Sequence, residues 1–151
     1  MVASKFIGVT LLSLLSLTAC REEEKIIAYR KLRSLPPAEL ERRVTALPPR
    51  EQVALYVMAV TYFRPSDEGL APILAKQGTT ILPALIEQLD KEEKGVSPQH
   101  LVLVLAIMAD TYHVEEVKEF APRIIAWCSH YYTTETYCHK VGYRLMDQQK
   151  P

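Results

Sequence analysis

From residue 34 onward, apolar side chains return every three or four positions, and prolines or glycines break the pattern at short intervals. Pro36-Pro37 opens one helix, with Leu40, Val44 and Leu47 on one face. Pro48-Pro49 stops it and starts a longer one carrying Val53, Tyr56, Val57, Val60 and Tyr62-Phe63. That helix ends at Arg64-Pro65, because a residue before proline avoids the helical region. Ser66-Asp67 is the expected N-cap of a short helix bearing Leu70, Ile73 and Leu74, with Gly78 as its left-handed C-cap. Thr79 or Thr80 should cap the next, whose apolar face is Ile81, Leu82, Leu85, Ile86 and Leu89. Residues 90–94 are a charged exit closed by Gly95. Ser97-Pro98 begins a helix that is almost wholly apolar over 101–109, so it should be the most buried. A helix over 115–130 carries Pro122 inside it, which should kink or divide it. A last helix is expected over 133–148. No stretch keeps a period-two alternation. The pattern predicts an all-α domain over residues 35–151, either a short helical-repeat solenoid of helix pairs at about 30 to 35 residues or an irregular multi-helix bundle.

The chain before residue 35 reads differently. Lys5 is followed by an uncharged, Leu-rich run over 6–19 that is too short to span a bilayer as a helix. This is the layout of a signal peptide. It closes on Leu17-Thr18-Ala19-Cys20, which resembles a bacterial lipobox. The resemblance implies removal of residues 1–19, diacylglyceryl transfer to Cys20 and acylation, palmitate-type, of the new amino terminus. Arg21, rather than an aspartate, then points to the outer membrane of a Gram-negative envelope, with the protein on its periplasmic side. Several acyl chains hold stably, since each buried CH₂ contributes about 0.8 kcal/mol. Residues 21–34 are highly charged, yet Ile26, Tyr29 and Leu32 recur at helical spacing, so both a solvated tether and a short helix fit.

At residues 78–89 the chain reads Gly-Thr-Thr-Ile-Leu-Pro-Ala-Leu-Ile-Glu-Gln-Leu, which resembles the second helix of a HEAT-type repeat. The helix around 70–76 takes the place of its partner. Such a resemblance implies a binding scaffold rather than a catalyst.

Composition narrows the chemistry. Apolar residues are 48% and charged residues 24%, which suits a packed core and not a disordered chain. Lys and Arg total 18 against 18 Asp and Glu, so the basic excess of a nucleic-acid binder is missing. Of the three cysteines, Cys20 belongs to the lipobox, leaving Cys128 and Cys138. In an oxidising compartment these two should form a disulfide clamping the last helix. A zinc site of Cys128, His130, Cys138 and His139 is the competing arrangement. Its spacing is poor, because helical residues two apart do not share a face and Cys138 and His139 are adjacent. No metal is expected.

Trp127, Tyr131, Tyr132, Tyr137 and Tyr143 gather around the same turn. They fit either packing of the last helix or recognition of a partner, where amphipathic aromatics are common anchors. Nucleotide-binding glycine loops, zinc-protease and serine-hydrolase motifs are absent from the sequence. Glu22 to Glu24 and Glu115-Glu116 read as helix-start charges, and His113 as a surface or capping residue. The sequence thus leads to a lipid-anchored periplasmic protein that binds another envelope protein, without cofactor, enzymatic activity or nucleic acid. An inhibitor or immunity protein against a toxin or hydrolase is one alternative, and a ligand or metal sensor another.

Overall fold

The structure, a computed structural model, describes residues 22–63, 65–91 and 98–149. The signal segment, Cys20, Gly95 and Ser97 lie outside that range. All regular structure among the described residues is helical, so the fold is all-α. None of these helices is long and apolar enough to cross a membrane.

The chain falls into two compact units, residues 1–42 and 43–151, where a boundary near residue 35 was expected. In the first unit, the charged segment is a helix, α1 (Glu22–Arg33). Its end is closed by the Ser34 amide on the Arg30 carbonyl and the Ser34 hydroxyl on the Lys31 carbonyl. Apolar spacing decided between tether and helix: Tyr29 is buried, while Glu23, Glu24, Arg30 and Lys31 are exposed. Helix α2 (Pro37–Thr45) starts in this unit and runs across its boundary. There the Glu39 carboxylate grips Arg42 at 2.6 and 2.8 Å, and holds that guanidinium above its ordinary range by hydrogen bonding and charge. Solvent-facing pairs of this kind add little stability.

The second unit carries α3 (Pro49–Tyr62), α4 (Ala71–Ala75), α5 (Leu82–Asp90), α6 (Pro98–Thr111), α7 (Ala121–Tyr131) and α8 (Tyr137–Asp147). Two 3₁₀ segments, Gly78–Thr80 and Glu115–Phe120, precede α5 and α7. Helix α6 is the centre of this unit, because it is apolar nearly all round. It packs on α4, α5, α7, α8 and the second 3₁₀ segment, and Leu101, Val102, Val104, Leu105 and Met108 are buried in those contacts. Gln52 is 1% exposed and polar; its amide is held by the Leu47 carbonyl at 2.7 Å and by a reciprocal pairing with the Gln77 amide. Such pairing removes the cost of burying the amide.

Three expected helix starts move. Asp67 does not cap α4; its Oδ1 accepts the Gly69 amide at 2.9 Å and makes a local turn, and the helix begins four residues after Asp67 with Pro72 in its first turn. Thr79 and Thr80 do not cap α5 but form the 3₁₀ turn, and Pro83 sets the first turn without needing a donor partner. The last helix begins at Tyr137, not near 133, with Thr136 as its N-cap. Pro122 divides its helix as expected: residues 115–120 are 3₁₀, and α7 starts one residue before the proline. Gly78 has φ +59°, the left-handed value anticipated for it.

Candidate functional site

Helices α7 and α8 form the most intimate pair in the second unit. Their approach is set by Gly142, where an added Cβ would lie 2.5 Å from Ile125 Cγ1 and 3.3 Å from the Ile125 amide nitrogen. A Cβ there would have to displace the Ile125 side chain and press on the backbone behind it. The turn between the helices brings Cys128 and Cys138 together as a disulfide, both sulfurs buried, with Cα atoms 5.8 Å apart.

The start of α8 is built by Thr136 and His139. The Thr136 hydroxyl accepts the backbone N–H of His139, and the Thr136 N–H donates back to His139 Nδ1 at 3.2 Å. This is a reciprocal cap with histidine in the place where glutamate or glutamine is usual. It fixes the helix start and explains why residues 133–136 stay outside it. The sequence carries the signal as Thr-x-x-His, which a search for Thr-x-x-Glu does not find.

The cap also decides the chemistry of the neighbouring hydroxyl. Ser129 Oγ lies 3.2 Å from His139 Nε2, the spacing of a nucleophile and its base. Because Nδ1 accepts a proton donor, the neutral ring carries its hydrogen on Nε2 and donates it to Ser129. In that tautomer the histidine cannot take the serine proton. The pair is a structural hydrogen bond beside the disulfide.

The four residues with zinc-type donors are differently employed. Cys128 and Cys138 bond each other, His139 uses both ring nitrogens inside the fold, and His130 is exposed with its ring edge-on to Tyr131 at 5.4 Å. No group of three metal-binding side chains occurs among the described residues.

The aromatic cluster separates into two sets. Trp127 is buried; the Arg123 guanidinium lies 5.1 Å from the centre of its ring and 5.8 Å from that of Phe120, while gripping Asp90 of α5 at 2.5 and 2.6 Å. Trp127 therefore packs α7 into the unit. Tyr132 is half-buried. Tyr131, Tyr137 and Tyr143 are 36, 45 and 47% exposed, and Met146, in the last turn of α8, is 40% exposed. Lys140 and Arg144 stand on the same outer side of α8 as Tyr137 and Tyr143, and Arg144 reaches Asp110 of α6 at 2.7 Å. His113, expected at the surface, is exposed and holds φ +53°, turning the chain after α6 so that the Val114 amide meets the Met108 carbonyl.

A concavity lies elsewhere in the second unit. It is an open cleft of about 660 Å³ between α5 and the segment 115–120. Leu82, Ile86 and Phe120 make its apolar lining, and Glu87, Asp90 and Glu116 stand at its edge. Glu87 is bound by Arg50 at 2.8 Å and Lys91 at 3.5 Å, and Asp90 by Arg123. No sequence pattern marks it, because its two sides are 30 residues apart.

The chain matches no protein-family model, no curated protein and no solved structure.

Proposed function

We propose that this chain is a lipid-anchored periplasmic helical protein that serves as a protein–protein interaction or scaffold module of the bacterial envelope. The observation that carries the binding part is the cross-braced α7–α8 pair, which presents Tyr131, Tyr137, Tyr143 and Met146 to solvent. Tyrosines offer large, stiff apolar area with one polar handle, the properties of an interface anchor. A disulfide and a reciprocal cap hold the pair in one conformation before binding, which lowers the entropy lost on association. The lipobox-like end at Cys20 supports the location. The tautomer of His139 and the enclosed cysteines support a non-catalytic, metal-free role for the same region. Acylation at Cys20 makes the membrane itself the protein's first partner.

The test is capture of envelope proteins on the acylated, oxidised protein and on a variant with Tyr131, Tyr137 and Tyr143 changed to Ala. A stoichiometric partner lost by the variant, with melting unchanged, supports the reading. A partner retained equally by both, or stoichiometric binding of a small molecule in place of any protein, rejects it.

A further inference from the structure

We propose that Thr136 and His139 form a proton-sensitive catch at the start of α8, closed while the imidazole is neutral and open once it is charged. The inference concerns the fold of the second unit and holds whatever the tyrosine side binds. Both ring nitrogens of His139 are in use, and the residue is only 6% exposed. Nε2 lies 3.2 Å from Ser129 Oγ; it donates there in the neutral ring and can go on donating in the charged one. Nδ1 is different. It accepts the Thr136 N–H at 3.2 Å, and it can do so only while it carries no proton of its own.

Uptake of a proton turns Nδ1 into a donor, and two N–H groups then face each other. The Thr136 hydroxyl, 3.1 Å from Nδ1, can accept the new proton, but the Thr136 amide loses its partner. The charge is also badly placed, because it sits in the first turn of α8, where the helix dipole presents its positive end. Among the described residues, no hydrogen bond or ion pair joins the ring to a charged side chain. On α7, Arg123 grips Asp90 and His130 lies against Tyr131. On α6, Asp110 holds Arg144, and in the segment 115–120 Glu115 holds Lys118. Glu116, Glu119, Glu135 and Lys140 are exposed, where solvent screens them. A proton therefore binds the opened turn in preference to the closed one, so the cap holds at neutral pH and gives way on acidification. The Cys128–Cys138 bond keeps α8 on α7 meanwhile, which confines the opening to residues 136–139.

The experiment is amide hydrogen exchange, followed by NMR on the full, oxidised protein at about pH 7.5 and about pH 5, each rate taken relative to an unstructured chain at that pH. Nitrogen shifts of the His139 ring should report the Nε2–H form at the higher pH and the cation at the lower. Across the same interval the protection of the Thr136 and His139 amides should fall about tenfold, the equivalent of one hydrogen bond, while that of Leu105 in α6 stays constant. His139→Gln can accept the same hydrogen bond but takes up no proton, so it should show no such fall. A ring still neutral at the lower pH, an Nδ1–H form at the higher, constant protection in the original protein, or an equal fall in the variant overturns the catch.

Discussion

Single side chains govern how closely α7 and α8 meet. Gly142→Ala should gain about 1 kcal/mol of helix propensity yet meet Ile125, whose backbone nitrogen cannot retreat far. The clash wins, and the variant should lose about 1 to 2 kcal/mol in urea unfolding. The same change should cost clearly less in an Ile125→Ala background, where Cγ1 is gone. His139 was placed by its sequence position among zinc-type donors, and its actual partner three residues back was missed because histidine is a rare member of that cap. His139→Ala should cost about 1 to 2 kcal/mol, since it leaves the Thr136 amide without its acceptor. His139→Gln should recover much of this, because glutamine can accept the same hydrogen bond. Ser129→Ala should change little, as the serine is exposed.

Among the elements, proline spacing was the most legible signal. Pro37, Pro49, Pro98 and Pro122 each lie in the first turn of a helix, because a missing N–H is harmless there and a fixed φ is helpful. Polar caps were less legible. Asp67 has the right chemistry for an N-cap but spends it on a local turn, while Thr79 and Thr80 fall in the 3₁₀ segment that ends before α5 begins. The disulfide belongs to this scale, since it fastens one helix to another. Cys128→Ser with Cys138→Ser, compared with the oxidised protein by thermal melting, should remove about 2.5 to 3 kcal/mol for a loop of this size. Far-ultraviolet circular dichroism should change little, because α7 and α8 also meet through Gly142 and the buried Ile124, Val141 and Leu145.

At the scale of the whole molecule, stability in the second unit depends on α6. Leu105 is fully buried where α6 meets several neighbours. Leu105→Ala should cost about 2 to 5 kcal/mol in denaturant, with α4, α5, α7 and α8 melting in one transition because they share that core. The apolar run over 101–109 already identified this helix as central, since a helix greasy on every side has nowhere to lie but inside. The all-α class was equally plain, for periodicity and proline are local properties. The surface was not. Trp127 and Tyr131 are four residues apart and of similar chemistry, yet one is enclosed under Arg123 and the other faces water. The cleft beside α5 joins residues 79–90 to 116 and 120, and the Ser129–His139 contact looks like chemistry until the cap fixes the ring's proton. Local sequence can specify which residues are helical and apolar, because neighbours along the chain enforce both. Which aromatic is covered, which carboxylate is neutralised and which histidine nitrogen carries the hydrogen depend on residues brought near by packing, and only the folded chain decides them.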